Sequence, residues 1–213
     1  MEHQTTSYGM IRSIIVCLIV AGWMTTVISA DWPEWRGPDR AGLWEAEGLV
    51  ESFEGLPNPL PRVWTAPVGA GYSGPTVSGE KVYLMDRGLR DDSEQVERIV
   101  CIDRVTGKEK WVHRYSCEYR QIGYDFGPRS SVTVVDGKAF SLGMMGHVHC
   151  LDAGSGKVFW AKDLSKHYKI EMPIWGLTSS PLVEDGVLIF QAAGGPEGAC
   201  VLGPVSYTHL TLP

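Results

Sequence analysis

The 213-residue chain has little positive charge to spare: 19 Lys and Arg stand against 25 Asp and Glu, a net charge of −6. A chain of that balance carries no basic footprint for nucleic acid or for an anionic membrane surface. It also lacks a long apolar run. The longest, Ile14 to Ala21, is too short to span a bilayer comfortably. Cysteines are few, five in all, so a disulfide scaffold is not expected. No phosphate loop is present either. Gly154-Ser-Gly-Lys157 has Leu151 where the Walker pattern needs its first Gly, and Val158 where it needs Ser or Thr. The acidic residues Asp91, Asp92 and Glu94 do not alternate around a central Gly as a calcium loop requires, and read as a solvated loop.

The two ends are set apart by composition. Met1 to Ala30 reads as an export signal: Arg12 precedes the apolar run and Ile28-Ser-Ala30 offers a small residue before the cut. Met10 offers an alternative start. The expectation is an exported protein, periplasmic or extracellular, with no stable membrane span once the signal is cleaved. Val205 to Pro213 reads as the translation of a common sequencing-library adapter rather than as a protein element. On that reading the natural chain continues beyond Pro204. Residues 31–61, rich in Pro and Gly, are expected to be an ordered but irregular lead-in.

What the sequence does contain is internal repetition. Cys101-Ile-Asp-Arg-Val-Thr-Gly-Lys-Glu-Lys-Trp111 is matched by Cys150-Leu-Asp-Ala-Gly-Ser-Gly-Lys-Val-Phe-Trp160, each matched residue 49 positions on. Trp64 precedes Trp111 by 47. A period near 49 suits a four-stranded propeller blade. The grammar from Arg62 onward is short strands and turns. One blade is expected over Ser73–Ser78, Lys81–Asp86, Arg98–Asp103 and Lys108–Arg114. A second is expected over Ser130–Val135, Lys138–Gly143, His147–Asp152 and Lys157–Asp163. A third begins with Thr178–Val183 and Val187–Gln191. Asp136-Gly137 and Asp185-Gly186, flanked by apolar strands, are strong hairpin signals. The fold class is therefore all-β: a partial propeller of four-stranded antiparallel blades over residues 62–204, about two and a half to three blades.

Residue chemistry in the repeat points to architecture. Trp64, Trp111 and Trp160 are expected to fill the wedge between blades. Asp103 and Asp152 are expected to accept backbone N–H bonds in tight turns, and Gly107 and Gly156 to supply the positive φ there. Cys101, Cys150 and Cys200 occupy equivalent positions, about 10 Å apart in packed sheets, too far for a bridge. They read as small buried strand residues, and Cys117 has no evident mate.

The pattern Asp-x-x-[Thr/Ser]-Gly-Lys-x-x-Trp, with a small residue two before the Asp, resembles the tryptophan-docking repeat of propellers of the pyrroloquinoline-quinone (PQQ) type. The opening Trp32-Pro-Glu-Trp-Arg-Gly-Pro-Asp-Arg40 resembles the mature N-terminus of secreted bacterial members. Complete relatives carry about six to eight blades. The resemblance implies that Trp64 lies on the strand that closes the ring on the last blade.

The resemblance implies two functions of different class. One is a non-catalytic binding or assembly scaffold, similar to the propeller that helps insert outer-membrane proteins, with a protein partner or a small-molecule ligand. The other is a quinoprotein dehydrogenase that oxidises alcohols or sugars through PQQ with calcium. The marks of the second are an adjacent Cys pair, a calcium ligand set and a haem Cys-x-x-Cys-His. None occurs in this sequence. The scaffold is the preferred expectation. Residues that open the innermost strands are the channel candidates for ligand contact: Tyr72, Arg129, Ser130, Trp175, Thr178 and Ser179. Small hydroxyl residues there also suit a crowded axis and can satisfy backbone groups. His147 and His149 alternate on a strand and share a face. With no third ligand placed, they read as an ordinary strand-surface pair and no metal is expected.

Overall fold

Alternation of β-branched and aromatic residues between Asp-Gly and Gly-Glu turns drives this chain into short antiparallel strands. The computed structural model describes residues 31–45, 49–88, 95–168, 170–192 and, for the backbone alone, 201–202. The leader 1–30, the acidic loop 89–94, Cys200 and the tail 205–213 lie outside the described residues. Strands β1 (Thr76–Ser78), β2 (Lys81–Asp86), β3 (Val96–Asp103) and β4 (Glu109–Ser116) form one sheet in the order β1-β2-β3-β4. Strands β5 (Thr133–Val135), β6 (Lys138–Leu142), β7 (His147–Asp152) and β8 (Val158–Asp163) form a second in the same order. Strands β9 (Leu182–Glu184), β10 (Val187–Gln191) and β11 (Val201–Leu202) form a third. A short helix, α1 (Leu164–Tyr168), follows β8, and Asp163 Oδ1 caps it by accepting the N–H of Ser165 at 3.1 Å.

The hairpins behave as their turn residues dictate. Asp136 and Gly137 take φ 49° and 70°, and Asp185 and Gly186 take 48° and 74°. Two successive positive φ values match the right-handed twist of the flanking strands. The first strand of each sheet begins later than its sequence suggests: β1 at Thr76 rather than Ser73, β5 at Thr133 rather than Ser130, β9 at Leu182 rather than Thr178. Pro75 and Pro181 cannot donate to a ladder. Ahead of β5 the polar groups pair across sheets instead: Ser130 Oγ donates to Ser179 O at 2.8 Å, and the Ser131 N–H to Ser180 Oγ at 2.9 Å.

The sheets pack face to face. Tyr83, Met85, Ile99, Cys101 and Trp111 of the first sheet meet Val132, Val134, Ala139, Leu151 and Ala153 of the second. Phe140, Leu142, Val148 and Cys150 of the second meet Leu188 and Phe190 of the third. Strands β3 and β7 are buried along nearly their whole length, with only the end residues partly open. A strand covered on both faces loses the polar–apolar alternation of a one-sided sheet. That is how β3 accommodates Arg98, which is 1% exposed and forms a double hydrogen bond with the equally buried Asp86, one arm at 2.6 Å. The Gly69 N–H completes the pair at 2.7 Å from Asp86 Oδ2. Cys101, Cys117 and Cys150 are free and buried, and burial pushes the thiols of Cys101 and Cys150 up to about 11.

Candidate functional site

The repeat residues act between sheets. Trp111 Nε1 donates to Ala153 O at 3.2 Å, and Trp64 Nε1 donates to Arg104 O at 2.8 Å. Ala153 and Arg104 each follow the repeat aspartate. A Cβ on Gly156 would lie 2.6 Å from the Trp111 ring, and one on Gly107 would lie 2.7 Å from the Trp64 ring. Each indole therefore lies flat on the glycine of the next repeat, where no side chain fits. Asp103 closes its turn by accepting the Thr106 N–H at 2.8 Å, and Asp152 does the same with the Ser155 N–H at 2.7 Å. The Thr106 backbone and hydroxyl, with Lys110, hold the Asp103 carboxyl down to about 2. In both repeats the register slips opposite the Trp: Cys101 pairs with Trp111 and Ile102 with Glu109, while Cys150 pairs with Trp160 and Leu151 with Val158. The bulge turns the indole out of the sheet toward its neighbour. Trp160 packs beside Phe140, ring centroids 6.4 Å apart.

A second cluster has a different character. The backbone just ahead of β1, the loop between β4 and β5, and the segment ahead of β9 converge on an aromatic surface. Arg129 lies over the Tyr72 ring at 4.4 Å and donates to Asp125 O at 3.0 Å. The Tyr72 hydroxyl donates to Asp125 Oδ2 at 3.2 Å. Tyr124 and Trp175 pack with ring centroids 3.9 Å apart, and both are about half exposed. Tyr72, Tyr124, Asp125, Phe126 and Arg87 line a cleft of about 580 Å³. A smaller one, about 250 Å³, runs beside Trp175, Thr178, Ser179 and Gln191. Exposed rings edged by one carboxylate and a guanidinium can stack a planar or apolar group and fix its polar edge.

The back of the larger cleft is anchored deep in the protein. Phe126 stacks parallel on Tyr119 at 4.8 Å. The Tyr119 hydroxyl donates to Glu97 Oε1 at 3.0 Å, the Tyr115 hydroxyl to Glu97 Oε2 at 2.5 Å, and the Met144 N–H to Oε1 at 3.2 Å. Glu97 is fully buried. Burial raises its pKa, while the bonds from Tyr115, Met144 and Tyr119 oppose the rise. A β3 carboxyl thus ties the cleft wall to the β6–β7 turn of the next sheet.

Of the six channel candidates, Tyr72 and Trp175 line the clefts with exposed rings, and Arg129 lies over the Tyr72 ring. Thr178 is exposed beside the smaller cleft. Ser130 is buried, and both serines are engaged by the backbone: Ser130 as above, Ser179 by accepting the Gln191 N–H at 3.0 Å. Tyr124, Asp125, Phe126 and Tyr119 escaped the repeat-based reading because they lie in the irregular segment between β4 and β5. Its density of aromatic residues, Tyr119, Tyr124 and Phe126, is the available signal. His147 and His149 do share a face, but that face meets the neighbouring sheet rather than solvent. His149 is 4% exposed, 4.9 Å from the ring of His113 and 4.3 Å from that of Tyr115.

Among the described residues no three His, Cys, Asp or Glu side chains are grouped to hold a metal ion, and the cleft carboxylate, Asp125, already accepts from Tyr72. No helix among the described residues is long and apolar enough to cross a membrane.

Comparison with known proteins agrees with the repeat. The family model described as "Outer membrane protein assembly factor BamB" matches residues 97–202. The quinohemoprotein alcohol dehydrogenase from Comamonas testosteroni is 18% identical, with a TM-score of 0.60 over 87% of this chain and 27% of that one. BamB from Moraxella catarrhalis is 16% identical, with a TM-score of 0.45 over 68% of this chain and 36% of that one. A europium-containing methanol dehydrogenase is 19% identical, with a TM-score of 0.44 over 67% and 24%. No curated protein sequence matches the chain. The chain spans about a quarter of the length of the alcohol dehydrogenase whose fold it shares. The indole-on-glycine contacts between sheets, the 49-residue period and the family match together place this chain among the PQQ-like repeat β-propellers.

Proposed function

We propose that the chain is part of an extracytoplasmic binding and assembly scaffold, and that the aromatic cleft around Tyr72, Tyr124 and Trp175 is its contact face. The observation that carries this reading is the cleft itself: half-exposed rings beside Phe126, which stacks on a tyrosine bonded to the buried Glu97, with Arg129 over Tyr72 and Asp125 at the edge. Rigid aromatic groups lose little conformational entropy on binding and dominate protein contact surfaces. Support comes from the exposed rings of Tyr72, Tyr124 and Trp175, which lie close to one carboxylate and one guanidinium. The leader-like first 30 residues favour a place outside the cytoplasm.

The test is site-specific photo-crosslinking in the native cell envelope. A photoreactive residue at Trp175 or Tyr124 is expected to give a discrete adduct with one protein. That adduct should be lost when Arg129→Ala is combined with it. The same probe at Phe159, an exposed residue on β8, should give none. Equal labelling at all three positions would reject the cleft as a contact face.

A further inference from the structure

The residues ahead of the first sheet make contacts that a mere lead-in does not need. Trp32 and Val77 exchange backbone hydrogen bonds, both at 2.8 Å, which adds a short antiparallel bridge to the free edge of β1. Asp31 Oδ2 accepts the Gly79 N–H at 2.9 Å. One residue further on, Pro33 O accepts the Val134 N–H from β5 at 2.8 Å. Arg40 then reaches the third sheet and donates to Pro181 O just ahead of β9, while its Nε is held by Glu34 at 2.7 Å. Ten residues thus touch the innermost strand, or the residue before it, in all three sheets. The segment folds over itself to do so: the Trp32 ring covers Gly37, where a Cβ would lie 2.5 Å away, and Gly37 takes φ 73°.

β1 and β5 are the edges of their sheets. Such edges present unpaired N–H and C=O groups that an extended peptide can add to. We propose that the inner edges of β1, β5 and β9 form a receptor groove for an extended segment, and that residues 31–40 of the same chain are its ligand. The groove reads the segment by backbone pairing at Trp32 and Pro33 and by the guanidinium of Arg40 on the Pro181 carbonyl, which also accepts the Thr133 hydroxyl. Its occupant fixes the spacing of the three sheets along the axis and closes the groove to other strands. The inference is independent of the aromatic cleft.

Two variants of the complete chain test it: Trp32→Ala with Arg40→Ala, and Arg40→Ala alone. Hydrogen exchange is measured at Val77, Gly79 and Val134, with Tyr83 and Leu151 inside the sheets as internal controls. One lost hydrogen bond corresponds to about tenfold faster opening. The double variant is expected to exchange about tenfold or more faster at Val77 and Val134, with the controls unchanged. A synthetic peptide of residues 31–42, added in trans, should restore protection in the double variant and leave the unaltered chain unaffected. The single variant should keep Val77 protected. Unchanged exchange, loss of protection that spreads to Tyr83 and Leu151, unfolding of both variants, or failure of the peptide to restore protection would each overturn the proposal.

Discussion

Gly156 shows how much one missing side chain accomplishes. Its φ of 74° disfavours any L-residue, and the ring of Trp111 occupies the space where a Cβ would stand. Gly137 has nearly the same φ, 70°, but nothing within 4 Å of its would-be Cβ. The pair separates backbone strain from docking. Gly137→Ala should cost about 1 kcal/mol, the strain alone. Gly156→Ala should cost about 2–4 kcal/mol, because the indole must also move. Urea denaturation of the two variants measures the difference, and equal losses would mean that the indole can shift freely. The repeat aspartates, by contrast, serve their own turns, and nothing in their surroundings gives them a chemical role.

The junction between β4 and β7 is the element in which polarity was least visible beforehand. His113 of β4 meets His149 of β7, with Tyr115 beside them. His147, at the start of β7, faces Tyr115 at 5.3 Å and Asp163 at 3.8 Å, and Lys166 of α1 holds the same carboxylate. Burial lowers the pKa of all three histidines; burial together with the neighbouring imidazoles of His113 and His147 brings that of His149 to about 3. A base whose pKa falls on folding stabilises the fold fully above its unfolded value, near 6.5, and loses that contribution as pH falls below it. Glu97 acts in the opposite sense: its raised pKa favours the fold at low pH and loses its contribution as pH rises. Comparison with His149→Phe isolates the histidine. Between pH 6.5 and 5 the unaltered chain should lose about 2 kcal/mol relative to that variant. Parallel stability curves for the two would show that His149 titrates normally.

Strand order and hairpin positions were legible in the sequence because they follow from local chemistry: Asp-Gly turns, apolar alternation and the Asp-Gly-Trp repeat. Two kinds of feature were not. The face that His147 and His149 share could be read from their spacing, but not that a second sheet covers it. Whether a strand face meets solvent or another sheet depends on residues far away, here His113 and Tyr115. The channel candidates came from the same repeat logic and mixed two roles. Tyr72 and Trp175 line the clefts and Arg129 covers the Tyr72 ring, whereas Ser130 and Ser179 satisfy backbone groups. Tyr124, Asp125 and Phe126 belong to no repeat, and only the folded arrangement brings them beside Tyr72.

At the scale of the whole molecule, three sheets pack in succession, with an indole docked between successive repeats and a peptide segment touching their inner edges. The aromatic cleft opens beside the residues that precede β1 and the loop that precedes β5. The central proposal is that this cleft contacts a partner rather than a quinone. Calorimetric titration of the purified protein with PQQ in the presence of calcium, followed by an assay of alcohol-dependent dye reduction, tests it most directly. The account predicts no saturable heat and no dye reduction. Stoichiometric binding of the quinone with alcohol-dependent reduction, both abolished by Arg129→Ala or Trp175→Ala, would contradict it.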